Sequence, residues 1–87
     1  MTFYDDISFI IRAVNRKAVF KALIIPKTPT QLSKDLQINI GFVSNIIIEI
    51  KDRKLIKCLT PNEKRYRLYQ RTEYGNKVLK AMNELET

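Results

Sequence analysis

Two groups of side chains in this 87-residue chain could do chemistry. One is small and polar. Ser44 and Asn45 offer a hydroxyl and a carboxamide beside Gly41, within one apolar-periodic stretch. The other is basic. Between Lys51 and Arg71 lie eight Lys and Arg residues against two acids, Asp52 and Glu63, so this quarter of the chain carries six of its seven net positive charges. Together these groups suit non-covalent recognition of a polyanion, nucleic acid before an acidic membrane surface. Apparatus for covalent chemistry is not visible. There is no histidine, no Gly-rich phosphate loop, no Ser/His/Asp or Cys/His set, and no paired carboxylates in an apparent pocket. Neither an enzyme nor a cofactor is expected. Cys58 is the only cysteine. It cannot form an internal disulfide, and without histidine no metal site is expected. It reads as a small hydrophobe on a strand, with a redox-sensing thiol as the lesser alternative. Asp5, Asp6, Glu84 and Glu86 read as exposed terminal charges.

The polar group needs a helix to present it, and the sequence supplies one over Ile38 to Ile56. Val43, Ile46, Ile47 and Ile50 recur at i, i+3, i+4 and i+7, one stripe of a 3.6-residue period. Asn39 is placed to accept from the open N–H groups of the first turn. Ile38 and Val43 fit a hydrophobic staple around it. Opposite the stripe lie Gly41, Asn45, Ile48 and Asp52, flanked by Ser44 and Glu49. The acids fall only in the C-terminal half, as suits a helix entering a DNA major groove by its N-terminus.

Before it, residues about 5 to 14 read as a helix with Ile7, Ile10, Ile11 and Val14 inward. Asn15 is a candidate cap for a second helix reaching about Ile24, with Ala18, Val19, Ala22 and Leu23 inward. Pro26 and Pro29 stop it. Thr28 and Gln31 are spaced as a capping box with Pro29 at the first helical position, opening a short helix with Leu32 and Leu36 inward. A brief turn at Gln37–Ile38 then leads into the central helix. This is the form of a helix-turn-helix, although a plain αα-hairpin fits these residues as well.

The chain after the central helix favours the first form. Residues 55–59 are apolar and no longer helical in period. Residues 60–64 are a turn cluster, and Arg65–Gln70 alternates as a strand should. The expected β-hairpin carries Lys64, Arg65, Arg67 and Arg71. Thr72 caps a last helix with Val78, Ala81, Met82 and Leu85 inward. Gly75 in its first turn implies a packing reason.

The order helix, helix-turn-helix, hairpin, helix resembles the winged helix-turn-helix family, in particular small prokaryotic MarR/ArsR-like regulators. The resemblance covers about Asn15 to Leu79. It rests on TPTQLSKDL, VSNIIIEIKDRKLIK and YQRTEYGNKVL, in that order and spacing. It implies a mainly α fold with a small β-hairpin and sequence-preferring binding to double-stranded DNA. The recognition helix would place Ile40, Gly41, Ser44 and Asn45 over the bases. Thr28, Thr30 and Gln31 would touch phosphates. Asn62, Lys64 and Arg65 would form the wing on the backbone or minor groove. Ile40 and Asn45 depart from the family's usual polar and arginine residues, so the Arg–guanine contact is missing and an A·T lean is implied. Lys54 stands for the usual glycine at the helix end, and Arg71 for a leucine before the last helix.

One winged-helix domain over residues 1–87 is expected, divided as 1–14, 15–71 and 72–87. No signal peptide or membrane span is visible, so a cytoplasmic protein is expected. A homodimer through the terminal helices fits two amphipathic helices on a chain with one small core. An effector is unknown. A protein-interaction module or an RNA-binding accessory protein remain as alternatives.

Overall fold

The computed structural model describes residues 2–86. Helix α1 (Phe3–Ile11) opens on a capping box in which Thr2 Oγ1 accepts from Asp5 N–H and Asp5 returns the bond to Thr2 N–H, both at 3.2 Å. Ile7, Phe9 and Ile10 are buried. The expected extension to Val14 does not form: Ala13 is extended (φ −124°, ψ 117°) and Val14 is 83% exposed. The early end has a compensating bond. The carbonyl of Phe9, in the last turn where helical partners run out, accepts from Arg16 Nη1 at 2.6 Å.

Helix α2 (Val14–Ala22) starts one residue after Ala13 without a side-chain cap, so Asn15 does not serve as one. It ends two residues short of expectation, leaving Ile24 and Ile25 exposed. Val19, Phe20 and Leu23 enter the core.

Helix α3 (Pro29–Leu36) carries the expected capping box. Thr28 Oγ1 accepts from Gln31 N–H at 3.1 Å, and Gln31 Oε1 accepts from Thr28 N–H at 2.9 Å. The turn after it is built without glycine. Gln37 takes the left-handed conformation (φ 56°, ψ 43°), and Ser33 Oγ donates to the Ile38 carbonyl at 2.6 Å. Helix α4 (Ile40–Asp52) comes next, its first turn capped by Asn39 Oδ1 on Gly41 N–H at 2.8 Å. Val43, Ile46, Ile47 and Ile50 are all buried, as the stripe requires. A turn this short sets α4 against both α3 and α2, giving the helix-turn-helix.

The end of α4 is as tight as its start. Lys54 adopts φ 66°, the region where glycine costs least, and Leu55 N–H donates to the Ile50 carbonyl at 3.1 Å. Strand β1 (Ile56–Cys58) pairs antiparallel with β2 (Tyr69–Arg71) in the register Ile56↔Arg71, Lys57↔Gln70, Cys58↔Tyr69. Lys27 adds a single bridge to Tyr69, its N–H and carbonyl bonded at 3.2 and 2.9 Å. Residues 59–68 form the loop between the strands. The strand expected from Arg65 therefore begins only at Tyr69. Tyr66 at φ 57° breaks the alternation, and Arg67 Nε is spent on the Glu63 carbonyl at 2.6 Å.

Helix α5 (Glu73–Leu85) is capped by Thr72 Oγ1 on Gly75 N–H at 2.9 Å. Gly75 has the packing reason its position implied: a Cβ there would lie 2.0 Å from the Leu55 carbonyl oxygen. Val78 and Met82 are buried, but Leu85 is exposed rather than inward.

Of the acids expected at the surface, Asp6 is structural instead, whereas Glu86 is exposed as expected but paired. Asp6 is buried; Arg53 Nη1 reaches its Oδ1 at 2.9 Å and the Tyr74 hydroxyl donates to its Oδ2. Glu86 pairs with Lys17 and Lys21, which hold its carboxyl below the usual carboxylate range.

Candidate nucleic-acid interface

The first two turns of α4 present four of the expected site residues. Ile40, Gly41 and Asn45 are exposed and Ser44 is half-buried. The helix holds them there because Val43, Ile46 and Ile47 face the core one position away on each side. The Asn39 side chain already satisfies the Gly41 N–H, so readout from this end falls to the side chains. No charged residue occurs from Asn39 to Ile48.

The start of α3 gathers Thr28, Thr30 and Gln31. They are not equivalent. Thr28 is 8% exposed with its hydroxyl committed to the cap. Gln31 commits its amide oxygen to the same box but keeps an NH2 donor. Thr30 is exposed in the first turn, where backbone N–H groups point outward.

The remaining expected residues, Asn62, Lys64 and Arg65, lie exposed in the loop 59–68. Thr60 shapes this loop: its carbonyl accepts from Glu63 N–H at 3.0 Å and its hydroxyl from Leu68 N–H at 3.0 Å. Leu59 N–H donates to the Leu68 carbonyl at 2.8 Å and closes the base.

The eight basic residues of this quarter divide into two kinds. Lys51, Lys54, Lys57, Lys64 and Arg65 are exposed. Arg53, Arg67 and Arg71 are tied into the fold. Arg71 Nη1 donates to the Phe20 carbonyl at 2.7 Å and its Nε to Asn76 Oδ1 at 2.9 Å, and burial lowers its pKa. It thereby satisfies carbonyls at the end of α2.

Two exposed residues that the sequence reading leaves without a role stand out. Phe42 is 63% exposed on α4, and Tyr66 is 75% exposed in the loop. The signal for Phe42 was present: it lies 100° outside the Val43 stripe. No local pattern announces the left-handed backbone at Tyr66, which costs a non-glycine residue about 1–2 kcal/mol.

No family profile and no curated protein sequence matches the chain. Among solved structures it is similar to a MarR family transcription regulator, with TM-score 0.74 and 27% identity over 85% of this chain and 51% of that one. Wild-type MarR from E. coli in its apo form gives TM-score 0.73 and 24% identity over 84% and 56%. A mutant of Lactococcus lactis ZitR in its apo form gives TM-score 0.69 and 18% identity over 97% and 61%. The chain thus spans about half to three-fifths of the length of the structures it matches.

Proposed function

We propose that this chain, a homologue of the MarR/ArsR-like winged helix-turn-helix regulators, binds double-stranded DNA and regulates transcription. The observation that carries this reading is the pairing of an exposed, charge-free start of α4 with exposed Lys64 and Arg65 in the wing. The start of α4 enters the major groove, with Ile40, Gly41, Ser44 and Asn45 over the bases. Thr30 and Gln31 meet phosphates from the start of α3, with Thr28 holding that helix end in shape. Asn62, Lys64 and Arg65 reach the backbone or minor groove. Binding at a promoter would exclude or recruit the polymerase. Such a protein works in the cytoplasm, and no helix among the described residues is long and apolar enough to cross a membrane.

A homodimer through the terminal helices belongs to the same proposal. Tyr4 on α1 and Leu85 on α5 are large, apolar and exposed. Light scattering at tens of micromolar should give twice the chain mass; a monomer with and without DNA would remove the dimer.

DNA binding is tested by fluorescence anisotropy of a labelled mixed-sequence duplex of about 25 base pairs, at salt from about 50 to 200 mM. A log–log decline with a slope of a few units is expected. No binding at the lowest salt would turn the chain into a protein-interaction module.

A further inference from the structure

The reading helix is apolar where a groove-reading helix ordinarily carries cations. From its cap to Glu49, α4 has no Lys or Arg, and its first cation, Lys51, comes three turns in. The bidentate contact of arginine with guanine O6 and N7 is therefore closed to its N-terminal half. In its place stand two large hydrophobic side chains left in water, Ile40 at 45% and Phe42 at 63% exposed. Neither is needed by the core, which the Val43, Ile46, Ile47 and Ile50 stripe already fills.

Helical geometry sets these two in a definite relation to the polar groups. Phe42 and Asn45 are i and i+3, neighbours on one flank; Ile40 and Ser44 are i and i+4, neighbours on the other. Gly41 lies between the flanks with no side chain. Each flank thus carries an apolar group beside a hydrogen-bonding group.

The major-groove edge of one base pair has the same make-up. An A·T pair shows adenine N7 and N6 for a carboxamide, and the thymine C5-methyl, which is the only apolar group on that edge. We infer that Ile40 and Phe42 read pyrimidine C5-methyl groups, with Asn45 taking the adenine of the pair that Phe42 touches. The ligand class is C5-methylated pyrimidine in duplex DNA. Thymine supplies that methyl at every A·T pair, and 5-methylcytosine supplies it at modified G·C pairs. The inference rests on the DNA-binding reading. A protein partner for the same apolar pair is disfavoured by its surroundings, because the chain leaving α4 carries exposed Lys51, Lys54 and Lys57 towards the basic wing.

The test uses the whole chain and two pairs of alternating duplex polymers, the members of each pair differing in one methyl: adenine–thymine with adenine–uracil, and guanine–5-methylcytosine with guanine–cytosine. Affinities are measured at one fixed salt near 50 mM, together with the salt slope of each. Adenine–thymine should bind more tightly than adenine–uracil by about fourfold for each methyl contacted, the transfer free energy of one such group. A gain on 5-methylcytosine over cytosine would extend the same reading to the modified base; its absence would confine it to thymine. The double variant Ile40→Ala/Phe42→Ala changes only exposed side chains and should erase the thymine–uracil difference while keeping the salt slope. Equal wild-type binding to all four polymers overturns methyl reading and leaves DNA binding intact. A thymine–uracil difference that survives in the double variant overturns the assignment to Ile40 and Phe42. Failure to bind any polymer instead overturns the DNA-binding reading on which the inference stands.

Discussion

Asp6, in the first turn of α1, and Arg53, at the C-cap of α4, meet 2.9 Å apart although 47 residues separate them. The contact is sheltered: the Asp6 side chain is 6% exposed, and the Arg53 guanidinium carbon sits 3.7 Å from the Phe9 ring centroid. A buried ion pair adds little compared with an apolar pair, but losing one partner strands the other. Asp6→Ala should therefore cost about 3 kcal/mol in a urea titration. Asp6→Asn, which can still accept from Tyr74, should cost less. Equal losses for the two would mean that the carboxylate charge carries the contact and that the acceptor kept by asparagine contributes nothing.

Tyr74 donates to the other oxygen of Asp6. This hydrogen bond, followed by burial and the carboxylate charge, pushes the phenol up to about 12 from 10.0. A raised pKa favours the protonated form in the folded state. Its stabilisation is complete below pH 10 and disappears as pH climbs through about 12. Wild-type stability should fall more steeply than that of Tyr74→Phe over that window. Parallel curves would remove the linkage.

Gly75→Ala places a methyl 2.0 Å from the Leu55 carbonyl oxygen, which is backbone and cannot swing away. Helix propensity alone would make this change stabilising by about 1 kcal/mol. The clash should reverse the sign, with a net loss of about 3 kcal/mol by thermal or urea unfolding.

At Lys54 the opposite holds. Its φ of 66° penalises any side chain, so Lys54→Gly should raise stability by about 1 kcal/mol. No gain in the urea midpoint would show that the lysine stem recovers the cost by packing.

The basic residues of the hairpin should separate into two classes. Lys64→Ala and Arg65→Ala should each reduce the salt slope of DNA binding by about one unit at unchanged stability. Arg71→Ala should do the reverse, because its guanidinium is bonded to the Phe20 carbonyl and Asn76. An Arg71→Ala protein with native stability and a shallower slope would place that arginine on the phosphates instead.

The sequence shows most plainly what repeats or caps. The α4 stripe, the Thr28–Gln31 box and the Asn39 and Thr72 caps are all visible, because each is a local pattern with a local cause. Long-range compensation hides the rest. Nothing near Ala13 signals that α1 should stop there; the Phe9 carbonyl is satisfied by Arg16 from the next helix. Asp6 reads as a terminal surface charge because Arg53 and Tyr74 are remote in sequence. Arg71 reads as one more hairpin cation because its acceptors belong to α2. The wing strand is overextended because alternation cannot foresee a left-handed tyrosine. In the candidate interface, polar residues attract notice by type, whereas Phe42 is marked only by its place about 100° outside the Val43 stripe.

Every charged tie on α4 lies in its C-terminal half, at Glu49 with Arg16 of α2 and at Arg53 with Asp6 of α1, and both guanidinium carbons sit 3.7 Å from the centroid of the same phenylalanine, Phe9. Mechanically these ties clamp the root of the helix, while Val43, Ile46 and Ile47 seat its arm on the core. From Arg53 to Ile40 the arm is about 20 Å, at 1.5 Å per residue. A tilt of roughly 3° at the clamp would sweep the tip through about 1 Å, a third of a hydrogen-bond length. A disturbance at Phe9, far from any base, would thus be magnified at the end of the helix that meets the groove.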